Sequence, residues 1–124
     1  MIKAFHHIAL IVSSNASIMF YEKMGFQEVS RTNRGYDVLV YLEGYGILLE
    51  IYVDAKHPPR ADRPEALGLR HLAFEVDNLE EMLKEWNIEV VPIRECNGEK
   101  YTFVRDPDGL PSELREKKRT SETL

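Results

Sequence analysis

Apolar residues in this chain come in short runs separated by polar turns. Phe5 to Val12 is one such run, closed by Ser13-Ser14-Asn15, and it has the pattern of a buried strand. From Asn15 to about Met24, Ile18, Met19 and Tyr21 fall at helical spacing, with Gly25 as a stop. Phe26–Arg31 and Tyr36–Leu42 read as strands, Glu43-Gly44 as a turn, and Gly46–Val53 as a further strand. Residues 54–68 change character, with three prolines and few large apolar side chains, and predict a linker or long surface loop. The pattern then resumes. Leu69–Val76 predicts a strand. Asn78 predicts an N-cap with Glu81 in the capping-box position, opening a helix that runs to about Trp86. Strands follow near Ile88–Ile93 and Tyr101–Arg105, then a tight turn at Asp106-Pro107-Asp108-Gly109 and a last strand over Leu110–Glu116. The polar tail, 117–124, is expected to fray.

The two halves therefore have one order: strand, helix, three strands. The match extends to residues. His7-Ile8-Ala9-Leu10 aligns with His71-Leu72-Ala73-Phe74, and Gly46-Ile47-Leu48-Leu49-Glu50 aligns with Gly109-Leu110-Pro111-Ser112-Glu113. His71 follows His7 by 64 positions and Glu113 follows Glu50 by 63. The expectation is an α+β fold of two tandem βαβββ modules, about 4–54 and about 69–116, joined by a linker over about 55–68 in one domain.

The repeat bears on chemistry. Taken singly, a strand histidine such as His7 or His71 is more often a core residue with its nitrogens hydrogen-bonded than a ligand. Glu50 stands out because Ile47-Leu48-Leu49 and Ile51-Tyr52 flank it. A carboxylate inside an apolar strand either turns to solvent by alternation or needs a partner or cation. Glu113, beside Ser112 and Arg115, would pass alone for a surface residue. Equivalence in two modules changes this, since symmetry-related positions converge when the modules' sheets face each other. Two imidazoles and two carboxylates suit one divalent ion (Zn, Ni, Co, Fe or Mn) and leave room for substrate oxygens. Alternation points His6 away from His7, and His57 falls in the Pro-rich loop; both are expected outside the site. Arg34, Arg70, Arg94 and Arg105 read as surface residues, Phe20 and Trp86 as core residues, and Cys96 as a loop thiol with no identified partner base.

Composition narrows the class. The chain has 124 residues, 44% of them hydrophobic and 30% charged, which suits one domain with a real core. A net charge of −5 with no basic stripe argues against a nucleic-acid partner. No apolar run approaches the ~20 residues of a membrane span. With no signal-peptide pattern and one cysteine, Cys96, a cytoplasmic location is expected.

His-His-Ile-Ala at 6–9, Leu-Glu-Ile-Tyr at 49–52, Gly-Leu-Arg-His-Leu-Ala-Phe at 68–74 and Asp-Pro-Asp-Gly-Leu-Pro-Ser-Glu-Leu at 106–114 resemble the vicinal oxygen chelate (glyoxalase/bleomycin resistance/dioxygenase) superfamily. Within it, the chain is similar to the small bacterial glyoxalase I-like proteins, over roughly residues 5–116. The resemblance implies paired βαβββ modules whose sheets curve around a metal, with ligands at His7, Glu50, His71 and Glu113. Fosfomycin-modifying and ring-cleaving members typically lack a carboxylate at the Glu50 position, so the resemblance favours the isomerase branch. It implies a lactoylglutathione lyase-like enzyme that moves a proton through an enediolate on a 2-oxo hemithioacetal. Glutathione or another thiol would be the co-substrate, Glu113 or Glu50 the base, and a homodimer the assembly. The alternatives are an acyl-thioester epimerase on the same site, or a non-catalytic protein that binds a small molecule.

Overall fold

The computed structural model describes residues 1–87 and 92–117. The chain forms two compact units, Met1–Arg60 and Ala61–Leu124, which divide inside the Pro-rich segment.

In the first unit β1 (Ile8–Val12) leads into α1 (Asn15–Lys23), followed by β2 (Gln27–Asn33), β3 (Val38–Gly44) and β4 (Ile47–Val53). The strand order is β1-β4-β3-β2, with β1 parallel to β4 and the other pairs antiparallel. The helix starts where the Ser14 side chain accepts from the Ala16 N–H. It stops at a Schellman turn. Gly25 takes φ +115°, its N–H bonds to Glu22 O and the Phe26 N–H to Tyr21 O. Strand alternation sorts the sheet. Leu10, Val12, Val40, Leu42, Leu49 and Ile51 are buried, as are Ile18 and Tyr21 on α1. The opposite face carries Ala9, Leu39, Tyr41, Glu50 and Tyr52.

The second unit repeats this plan with β5 (Leu72–Val76), α2 (Leu79–Trp86), β6 (Arg94–Cys96), β7 (Glu99–Arg105) and β8 (Pro111–Glu116). Its order, β5-β8-β7-β6, and its parallel β5–β8 pair match the first sheet. The α+β fold of two βαβββ units is thus the one the repeat implied. Asn78 caps α2 by accepting from the Glu81 N–H at 3.1 Å, while its own N–H bonds to Asp77 rather than to Glu81.

Several local expectations are corrected. The β3–β4 turn lies at Tyr45-Gly46 (φ +56° and +74°), not at Glu43-Gly44. Gly44 is a strand residue whose missing Cβ makes room for Phe26, since a Cβ there would lie 2.8 Å from the Phe26 ring. Cys96 ends a strand rather than sitting in a loop, because Asn97-Gly98 (φ +53° and +80°) forms the same kind of hairpin turn. The strand expected near Ile88–Ile93 falls largely on 88–91, outside the described residues. Phe20 and Trp86, expected in the core, are half-buried, and Met19 is exposed. Among the described residues no helix is long and apolar enough to cross a membrane.

Candidate metal centre

His7 and His71 each stand one residue before a strand, β1 and β5, rather than within it. Glu50 and Glu113 lie in the centres of β4 and β8. The register brings the repeat into line, with Glu50 opposite Ala9 on its parallel neighbour and Glu113 opposite Ala73 on its own. A small side chain beside each carboxylate leaves that flank uncovered. On the antiparallel side Glu50 faces Tyr41, and Glu113 faces Phe103.

Each carboxylate residue is 9% exposed. Burial at that level requires partners, and the two units supply different ones. Glu50 Oε2 accepts from Tyr41 Oη at 2.9 Å, and Oε1 accepts from Tyr52 Oη. The Tyr52 bond, then the Tyr41 bond, His7 and Arg34 hold the Glu50 carboxyl below the usual carboxylate range, against the opposing effect of burial. The same bonds push the Tyr41 and Tyr52 hydroxyls up. Arg34 lies over the Tyr52 ring, 5.1 Å from its centroid, and forks onto Asp37 with two 2.6 Å bonds. Among the described residues no phenol bonds to Glu113. Its Oε1 accepts from Arg115 Nη1 at 3.3 Å; Arg115 also pairs with Glu99 at 3.1 Å and covers the Tyr101 ring. Glu113, then Glu99, raise the Arg115 pKa.

His7 Nε2 stands 3.5 Å from Glu50 Oε2, and its Nδ1 is 2.8 Å from His6 Nδ1. Ligand atoms about 2.0–2.2 Å from a tetrahedral zinc stand ~3.4 Å from one another. The His7–Glu50 separation fits two neighbouring donors to one ion, and the His6 contact occupies the other nitrogen of the His7 ring. His6 is therefore not turned away from His7 as alternation suggested, because both precede the strand. His71 is arranged differently. Its ring meets Phe103 edge-on at 5.2 Å between centroids, and its Nδ1 is 3.2 Å from Arg70 Nη1. A guanidinium only donates, so Nδ1 accepts there. Ligation through Nε2 would move the proton to Nδ1 and release Arg70, which keeps its 3.0 Å pair with Glu65. Among the described residues no three His, Cys, Asp or Glu side chains gather as a metal site; His7 and Glu50 approach each other, whereas His71 meets Phe103 and Arg70 and Glu113 meets Arg115.

His57 pairs with Asp54 at 3.4 Å, and Arg105 with Asp62 at 3.1 Å. Tyr41, Tyr52 and Arg115 are not among the residues the sequence singles out. Tyr52 and Arg115 were accessible to it, each two residues beyond a carboxylate and hence on its face. Tyr41 needed the β3–β4 register.

Comparison with known proteins agrees with this fold. The YwkD protein of Bacillus subtilis (strain 168) is 39% identical over 94% of this chain and 98% of its own length. A glyoxalase family protein from Enterococcus faecalis is 43% identical, with a TM-score of 0.82 over 92% of this chain and 98% of its own. At the level of fold alone, the matches include the lactoylglutathione lyase of Agrobacterium tumefaciens (22% identity, TM-score 0.64, 91% and 92% of the two chains). They also include a variant of the fosfomycin resistance protein FosX of Listeria monocytogenes, complexed with Mn(II) (22%, TM-score 0.68, 99% and 98%). The model of the Glyoxalase/Bleomycin resistance protein/Dioxygenase superfamily matches residues 4–114, and with its two βαβββ units the chain belongs to that superfamily.

Proposed function

We propose that the protein is a metal-dependent isomerase of the glyoxalase I type, whose single ion is held by His7, Glu50, His71 and Glu113. The observation behind this reading is the His7–Glu50 pair, at a separation suited to a shared ion; His71 and Glu113 hold the equivalent positions in the second unit, one residue before β5 and, on β8, opposite Ala73. A divalent ion there supplies Lewis-acid stabilisation of the charge that develops on substrate oxygens. The chain's part is to orient the substrate and move the proton. The Glu113 carboxylate removes the proton from the carbon bearing the hydroxyl and sulfur of a 2-oxo hemithioacetal, leaving an enediolate. It then returns that proton to the neighbouring carbon while the hydroxyl proton passes to the former carbonyl oxygen, giving a 2-hydroxyacyl thioester. Glu113 suits this role better than Glu50, since one 3.3 Å contact to Arg115 holds it, whereas phenols take both oxygens of Glu50. Methylglyoxal with glutathione or another thiol is the proposed source of substrate. A cytoplasmic homodimer is the proposed setting, and the four ligands come from one chain or from two.

The test is an assay of the metal-reconstituted protein for lactoyl-thioester formation with glutathione and other thiols. Turnover supports the reading. A metal-binding protein inactive with every thiol loses the substrate assignment and keeps the metal centre.

A further inference from the structure

Glu50 is gripped by two tyrosines, and this grip is confined to one unit. Tyr41 lies directly across from Glu50 on β3, and Tyr52 lies two residues along β4 on the same face. Tyr52 takes Oε1, whereas Oε2 accepts from Tyr41 and is the oxygen facing His7 Nε2 at 3.5 Å. Arg34 in turn covers the Tyr52 ring and is itself forked onto Asp37. In the second unit Phe103 occupies the place of Tyr41 and Arg115 that of Tyr52. Phe103 has no hydroxyl and meets His71 instead.

We propose that Tyr41 and Tyr52 are positioning residues that fix Glu50 as a one-oxygen metal ligand, with Oε2 turned to the ion beside His7 and Oε1 held back. The inference rests on the metal centre of the proposed function and adds residues to it. Two directional hydrogen bonds on one carboxylate set its rotation, and a strand backbone paired on both sides sets its position. Arg34 has a supporting part, because the guanidinium over Tyr52 limits the swing of that ring.

The experiment measures the affinity of the metal-free whole protein for Zn(II) and Ni(II) by chelator competition. Tyr41→Phe, Tyr52→Phe and the double variant are compared in two backgrounds, one with Glu50 intact and one with Glu50→Ala. Phe is the conservative choice, since Phe103 already fills the equivalent place in the other unit. With Glu50 present each change is expected to lower affinity about 10-fold. With Glu50→Ala in place neither should lower it further, and thermal midpoints of the metal-free variants should stay near their parents'. Unchanged affinity with Glu50 present overturns the proposal, as does an equal loss in both backgrounds, which would mark a merely structural role. A wild-type protein that takes up no metal overturns both this inference and the metal centre beneath it. Binding without hemithioacetal turnover removes only the substrate assignment.

Discussion

Beneath Glu50's strand the first unit places Leu49 and Ile51 in the core, with Val40 and Leu42 beside them on β3. At the equivalent places the second unit has Ser112 and Leu114, with Thr102 and Val104. Three of the first unit's four aliphatic chains are thus matched by smaller or hydroxylated ones. The Ser112 Oγ is buried and finds no hydrogen-bond partner among the described residues. On the other face the contrast runs the same way: two phenols and an arginine-stacked ring hold Glu50, and one guanidinium shared with Glu99 holds Glu113. Identical topology and register therefore surround the two carboxylates differently: the first unit has the more aliphatic core and two hydrogen bonds on its carboxylate, the second a more polar core and one guanidinium contact.

The largest expected effect would break this comparison at the carboxylates. Glu113→Gln is expected to lower turnover of the metal-loaded protein by roughly 10²–10⁴-fold, the usual contribution of a general base, while retaining much of the metal affinity. Glu50→Gln is expected to act first on metal affinity. Steady-state kinetics alongside metal titration separates them, and a reversed pattern exchanges the two roles.

Leu49→Ala leaves a cavity under a fully paired strand and is expected to cost about 2–5 kcal/mol, read by chemical denaturation. A loss below ~1 kcal/mol would show that the first unit's core closes over the missing side chain.

The acid limb of stability sharpens the electrostatic side. Tyr52, Tyr41 and His7 depress the Glu50 pKa in the folded state. Its contribution is therefore fully present above the unfolded carboxylate pKa and is lost as pH falls through the lower folded value. Denaturation of the metal-free protein between pH 6 and pH 3 should show a shallower acid loss in Glu50→Gln than in wild type. Superimposable limbs would mean that the phenols do not favour the ionised form.

Ser112→Ala is the smallest change. It removes a buried hydroxyl without a partner, so the expected outcome is neutral or a gain of up to about 1 kcal/mol, measured by the same denaturation. A clear loss would show that this hydroxyl has a partner in solution.

The paired βαβββ order was readable because each strand and helix is short, bounded by Gly, Pro or Asn, and repeated at nearly constant spacing. The repeat is also what singles out His7, Glu50, His71 and Glu113 as candidates, and of these the structure brings His7 and Glu50 into contact. Misplaced turns at Glu43-Gly44 and around Cys96 show what pattern misses. Tyr45 adopts a left-handed conformation that its residue type does not announce, and Gly44 is dictated by the approach of Phe26. The tyrosine grip was hidden because half of it depends on which β3 residue faces Glu50, a matter of register. His6 was misjudged because alternation was applied to residues that lie before the strand begins.

The most direct test of the metal centre is a crystal structure of the metal-loaded protein in its full assembly, with the ion located by anomalous scattering. The expected result is one ion bound by His7, Glu50, His71 and Glu113, drawn from one chain or from two, with Glu50 Oε1 still on Tyr52. An ion bound elsewhere, or Glu50 facing bulk solvent away from His7 and His71 in every assembly, would contradict the four-ligand centre and with it the isomerase reading.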